Sequence, residues 1–107
     1  MEARPRILRN YLTASGTDPF HSWLNSLRAG KARSIVRTRL NRVERGNLGY
    51  CEPVGEGVHE LKIDIGPGYR VYFGEDGDEV ILLGGGDKST QASDIKKAKE
   101  RWIDYNA

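Results

Sequence analysis

Apolar residues recur with a helical period along the first half of the chain and with a period of two along much of the second. Asp18 is placed to cap free backbone N–H groups, and Pro19 suits the first helical position. Phe20, Trp23, Leu24 and Leu27 follow at i, i+3, i+4 and i+7, the apolar stripe of a helix that Gly30 is expected to stop. A second helix over 31–45 turns Ala32, Ile35, Val36, Leu40 and Val43 inward and ends at Gly46. The short connection predicts an antiparallel helical hairpin. Ahead of it, residues 6–13 form a first strand of imperfect alternation, and 14–17 a loop of small and polar residues.

From Val58 onward Leu61, Ile63 and Ile65 point one way while Glu60, Lys62 and Asp64 point the other. Gly66-Pro67-Gly68 is a turn, after which Tyr69, Val71 and Phe73 alternate with Arg70 and Tyr72. Pairing residue 65 with 69 sets Asp64 across from Arg70 and Lys62 across from Tyr72. An acidic turn at 75–79 leads to Val80-Ile81-Leu82-Leu83, a continuous apolar run expected of a strand covered on both sides. Gly84 to Thr90 then reads as the turn into a last helix whose buried stripe is Ile95, Ala98 and Trp102. The expected class is α+β in the order β-α-α-β-β-β-α: a small, mainly antiparallel sheet on a helical hairpin, with a C-terminal helix.

With 107 residues and no internal repeat, the chain makes one domain over 1–107. Hydrophobic residues at 37% and charged residues at 30% exclude collagen-like and low-complexity classes. No apolar run is long enough for a membrane span or a signal peptide, and the single Cys51 fits a reducing compartment, so a cytoplasmic protein without a membrane partner is expected. The net charge of +2 is mild, but its distribution is not: residues 28–45 carry seven basic side chains against one acid.

Those cations are the first candidate site. Arg33 and Arg37 lie on one flank of the second helix's apolar stripe and Arg42 and Arg45 on the other. Arg39 falls within the stripe and must snorkel or find a partner. A solvated face usually mixes signs, and arginine suits phosphate or carboxylate contacts, so a polyanionic or acidic partner stands beside the plain solvated face. The strand hairpin carries the second candidate, Lys62, Arg70 and Tyr72 at fixed spacing on rigid strands; the competing reading is a surface pair of Asp64 with Arg70. The glycines before Lys88 are not a nucleotide-binding loop, because Asp87 stands where that loop needs glycine. Their backbone N–H groups and Lys88 suit a single phosphate, or else the glycines only permit a tight turn. His59, on the Leu61 side near the end of the sheet, is a candidate for proton transfer, whereas His21 reads as solvated. No Ser/His/Asp arrangement or metal-ligand spacing is present in the sequence.

Several motifs in order carry a resemblance. Phe20-His-Ser-Trp23-Leu, Arg39-Leu-Asn-Arg42 and Gly46-Asn-Leu-Gly49 precede Gly55-Glu-Gly57-Val-His-Glu60-Leu. Gly66-Pro-Gly-Tyr69-Arg70-Val-Tyr72-Phe, Leu82-Leu-Gly-Gly-Gly86-Asp-Lys88-Ser-Thr-Gln91 and Asp94-Ile-Lys-Lys-Ala98 follow, with Trp102 after them. From Phe20 to Trp102 the chain resembles the RelE/ParE superfamily of toxin–antitoxin toxins, in its HigB-like addiction-module-killer branch. The resemblance implies a ribosome-dependent endoribonuclease that cuts mRNA without a metal or cofactor. It gives Arg70 the role of binding the scissile phosphate, Lys62, after a one-residue shift, that of activating the 2′-hydroxyl, and Lys88 that of the second transition-state cation. His59 joins Lys62 as a candidate base. Glu60 replaces a basic strand residue, and the C-terminal tyrosine of RelE has no counterpart, Asp94 lying nearest, so general acid and base stay unassigned. Arg33, Arg37, Tyr72 and Lys96 are the candidate RNA- or ribosome-binding residues.

The same resemblance implies a helix-turn-helix antitoxin, and through it operator DNA, as partners beside the ribosome and mRNA. The arginine-rich second helix and the basic last helix with Lys96, Lys97, Lys99 and Arg101 are the faces an acidic antitoxin would cover. Two other readings share the family: a ParE-like poison of DNA gyrase without nuclease activity, and a relative that only binds its antitoxin.

Overall fold

A five-stranded sheet separates two layers of helix in the computed structural model, which describes residues 4–107. In chain order the elements are β1 (Ile7–Asn10), α1 (Pro19–Ser26), α2 (Gly30–Glu44), β2 (Cys51–Gly55), β3 (Val58–Ile63), β4 (Tyr69–Asp76), β5 (Glu79–Asp87), one 3₁₀ turn (Lys88–Thr90) and α3 (Gln91–Tyr105). The strands lie in the order β1-β5-β4-β3-β2, with β1 parallel to β5 and all other pairs antiparallel. The protein is therefore α+β with a mostly antiparallel sheet. Among the described residues no helix is long and apolar enough to cross a membrane.

Alternation along the central strands feeds two cores. Leu61, Ile63, Val71, Phe73, Val80 and Leu82 meet Phe20, Leu24, Val36, Leu40 and Val43 of α1 and α2. On the opposite face Val58, Tyr72, Ile81 and Leu83 meet Ala98 of α3, bordered by Ile95 and Trp102. The run Val80–Leu83 is buried throughout, as its apolar continuity predicts.

Asp18 caps α1 as expected: Oδ1 accepts from the His21 N–H at 2.9 Å, while Oδ2 accepts from Asn10 Nδ2 at 2.8 Å. One carboxylate thus starts the helix and ties it to β1. Asp18→Ala is expected to cost about 1–2 kcal/mol. Urea unfolding checks it as a lower midpoint with an unchanged slope.

Five expectations are corrected. Gly30 does not stop α1; the helix ends at Ser26 and Gly30 is the first residue of α2. Arg33 closes that junction, its Nη1 donating to the Leu27 carbonyl and, at 3.3 Å, to the Arg28 carbonyl. Gly46, at φ +97°, does end α2. The first strand is shorter than 6–13, pairing over Ile7–Asn10 only. An unforeseen strand, β2, lies at the sheet edge, where Pro53 is tolerated because an outward-facing backbone needs no partner.

The hairpin register is offset by two from the expected one: Lys62 stands opposite Arg70 and Glu60 opposite Tyr72, because β3 ends at Ile63 and residues 64–68 form the connection. Finally, Gly84, Gly85 and Gly86 are not a turn but part of β5, which continues to Asp87. A bulge between Tyr72 and Phe73 of β4 leaves Leu83 unmatched. A Cβ on Gly85 would lie 2.2 Å from the Trp23 ring, and one on Gly84 2.6 Å from Arg101 Nη1. The glycines are where α1 and α3 approach the sheet closely from its two sides.

Candidate functional site

β3 and β4 bring two of the predicted cations side by side on the α3 face of the sheet. Lys62 and Arg70 are directly paired in register, and Gly86 of β5 is the next residue across. Lys88 begins the 3₁₀ turn just past β5, exposed, its aliphatic stem resting on Gly68 of the β3–β4 connection. Lys62, Arg70 and Lys88 thus share one end of one face.

Carboxylates partner two of these cations. Arg70 is 4% exposed and its Nη1 donates to Asp64 Oδ1 and to the Tyr69 carbonyl, both at 3.0 Å. Its Nε is buried with no hydrogen-bond partner. Lys62 Nζ lies 3.3 Å from Glu52 Oε2, 4.0 Å from Glu60 Oε1 and 5.1 Å from the centre of the Tyr50 ring. Glu52, by its hydrogen bond above all, holds the Lys62 ammonium pKa above its ordinary value. A raised pKa favours the ammonium form over the free amine that the role in activating a hydroxyl, implied by the resemblance, would use.

Behind the pair lies a buried polar network. Glu60 is 2% exposed, and its Oε2 accepts from the Tyr72 hydroxyl at 3.1 Å and from Gln91 Nε2 at 2.8 Å. Tyr72 is wholly buried, so the expectation that it contacts RNA is corrected: its ring belongs to the α3-side core. Burial first, and then Glu60, push the Tyr72 hydroxyl pKa far above its ordinary value. Gln91 is the residue the sequence reading missed as a site member; its signals were its place at the end of the Leu82–Gln91 motif and at the first turn of α3. Asp94 accepts from Thr90 Oγ1 and lies over Gly86, closing the site from the helix side.

Tyr72→Phe is expected to cost about 1–2 kcal/mol, since Glu60 loses one of its two buried donors. The same variant changes the alkaline behaviour. The folded state holds the Tyr72 proton more tightly than the unfolded state, which releases it above about pH 10. The stabilisation is intact below that pH and shrinks as pH rises above it. Urea unfolding at pH 8 and pH 11 should therefore show a larger loss for the wild type than for Tyr72→Phe.

The remaining candidates lie elsewhere. His59 points to the opposite face, its ring stacked on Phe73 at 5.3 Å between centroids, and cannot exchange protons with a group at Lys62 or Arg70. Arg33 is engaged with the carbonyls of the α1–α2 junction and is a structural residue rather than a free RNA contact. Arg37 is exposed on α2, beside a groove of about 330 Å³ between α1 and α2. Lys96 is exposed on α3, across the sheet from Arg37, so the predicted RNA-binding residues do not form one surface. Arg39 is only partly satisfied: it is 8% exposed, its Nη2 donates to the Leu48 carbonyl at 2.5 Å, and its Nη1 is buried with no hydrogen-bond partner. Among the described residues, no three His, Cys, Asp or Glu side chains converge as metal ligands would.

No family model matches the sequence. Over 81 residues, 75% of this chain, it is 49% identical to an uncharacterized protein of Haemophilus influenzae, of which the match spans 82%. Identity at that level over most of both chains makes them members of one family, and the chain belongs to the family of that Haemophilus influenzae protein.

Proposed function

We propose that this chain is a RelE-like toxin of a toxin–antitoxin module, acting as an endoribonuclease on mRNA at the ribosome and held in check by a helix-turn-helix antitoxin. The observation that carries the reading is the grouping of Lys62, Arg70 and Lys88 at one end of a sheet face. A strand scaffold fixes such cations better than loops do. The order of elements, two helices on one face and a C-terminal helix on the other, supports the same fold.

In cleavage the 2′-oxygen bonds to the neighbouring phosphorus, its proton passing to solvent, and the P–O5′ bond breaks to leave a 2′,3′-cyclic phosphate and a 5′-hydroxyl, so that negative charge builds on the phosphorane oxygens and then on the leaving 5′-oxygen. Arg70 and Lys88 are suited to the phosphorane, and Lys62, kept protonated by Glu52, to the developing charge on the leaving oxygen. The carboxylates now on Lys62 and Arg70 do not block this. Glu52 and Asp64 have side chains 52% and 48% exposed. Both carboxylates can swing into water and leave their cations to a phosphate. Glu60, held by Tyr72 and Gln91, stays in place and supports Lys62 from behind.

The test is primer extension on cellular mRNA after induced expression of the wild type and of Lys88→Ala. New 5′ ends in ribosome-bound mRNA for the wild type, lost in the variant, are the expected result. Growth arrest with intact mRNA removes the nuclease reading. The second reading, a gyrase poison that only binds, draws on the carboxylates that already partner Lys62 and Arg70. Inhibition of purified gyrase in a supercoiling assay would establish it.

A further inference from the structure

We infer that the groove between α2 and the β3–β4 connection receives an acidic peptide segment of a partner protein, one carboxylate of which pairs with Arg39. The groove encloses about 270 Å³, enough for an aliphatic side chain and its neighbours, and lies across the sheet from Lys62 and Arg70. Its walls include Ile35, Ile63 and Ile65, and its charged lining consists of Lys31, Arg39 and Arg42, with no carboxylate among the lining residues. Ile65, 54% exposed, stands at the rim of the groove, where an aliphatic side chain of a partner could cover it.

Arg39 is the second observation, independent of the cavity's shape. One arm of its guanidinium is satisfied by the Leu48 carbonyl, while Nη1 is buried and has no hydrogen-bond partner. Burial, and then the neighbouring Arg42, lower its pKa, the mark of a desolvated cation without a counter-ion. A buried charge in that state is costly, and a planar carboxylate is the acceptor that matches a guanidinium. A nucleic-acid phosphate would satisfy the charge but leave the three isoleucines uncovered. A peptide alternating acidic and aliphatic residues satisfies both. The inference shares with the proposed function only the expectation of a protein partner, and it holds whether or not the other face cleaves RNA.

The experiment titrates protein labelled at isoleucine methyls with a short synthetic peptide of repeated Leu-Glu-Glu and with its Leu-Gln-Gln counterpart, read by NMR. The acidic peptide should shift the Ile35, Ile63 and Ile65 signals, and the glutamine peptide should bind at least about tenfold more weakly, the worth of one charge-assisted contact. Arg39→Met should lose the same tenfold. Because Arg39 also holds Leu48, the exposed substitutions Ile65→Ser and Arg42→Glu are measured beside it and should each weaken binding with the fold intact. Equal binding of the two peptides, absence of shifts, or displacement of the acidic peptide by a short oligouridine would each overturn the inference. Primer extension reads the opposite face, so a failure there leaves this result standing and the reverse also holds.

Discussion

Gly85→Val should lower stability by about 1–3 kcal/mol. Gly85 sits within the β5 pairing with β4, opposite Val71, and the Trp23 ring of α1 lies against it. A Cβ there would come within 2.2 Å of Trp23 Cε3 and 2.5 Å of the ring-fusion carbon Cδ2. The indole cannot step aside cheaply: Phe20 and Tyr69 rings stand 5.9 Å and 6.5 Å from it, and Asp18 pins the start of its helix. For a domain of this size the loss is a large share of the total stability. Gly30→Ala is the control, since Gly30 is helical and a Cβ there meets nothing closer than Arg33 Nη2 at 3.5 Å. It should be neutral or stabilising by up to about 1 kcal/mol. Urea unfolding followed by tryptophan fluorescence separates the two, and an unchanged midpoint for Gly85→Val would show that Trp23 does not rest on the strand.

The same glycines show where the sequence stops being legible. Periodicity located α1, α2, β3, β4 and α3, because each buries one face and burial writes a period into the residues. Gly84, Gly85 and Gly86 bury nothing of their own. Their role is to leave room for Trp23, Arg101 and the Thr90–Asp94 pair, side chains remote in sequence, so only the packed molecule shows why they are needed. β2 escaped for a related reason: as an edge strand with Glu52 and Pro53 it carries no alternation to read. The hairpin register slipped by two because the Gly66-Pro67-Gly68 turn looked complete by itself, whereas Asp64 and Ile65 also leave the ladder.

For the candidate site, strand parity was informative and exposure was not. Parity placed Lys62 and Arg70 on one face and His59 on the other, and the strands bear that division out. Parity says nothing of what covers a face. The α3 side of the hairpin is roofed, so Tyr72 and Glu60 are core residues joined by a hydrogen bond, and Gln91 from the roof completes their network. The arginine cluster divides in the same way. Arg33 holds a helix junction, Arg39 holds the Leu48 loop, and Arg37 and Arg42 remain exposed. A row of like charges on one helix therefore does three different things, and only the neighbours of each side chain distinguish them.

Under the nuclease reading proposed above, Arg70→Ala and Lys88→Ala should each reduce mRNA cleavage by about 10²–10³-fold, the usual consequence of removing one fixed group that stabilises transition-state charge. Their structural consequences should differ. Lys88 is exposed and rests on Gly68 by its stem, so its removal should leave the urea midpoint near the wild-type value. Arg70 is buried between Asp64 and the Tyr69 carbonyl, and truncation there should cost about 1–3 kcal/mol besides the activity. Arg70→Lys separates the two effects. It keeps a cation near Asp64 but not the planar fork, so it should recover most of the stability and little of the cleavage. Glu52→Gln works in the opposite direction: it removes the exposed carboxylate from Lys62 and should strengthen RNA binding at low salt, with the advantage fading as salt screens the freed charge. The decisive comparison is Lys88→Ala, because no folding defect can stand in for its effect. Cleavage by that variant at the wild-type rate would mean that the three cations share a face without sharing a phosphate.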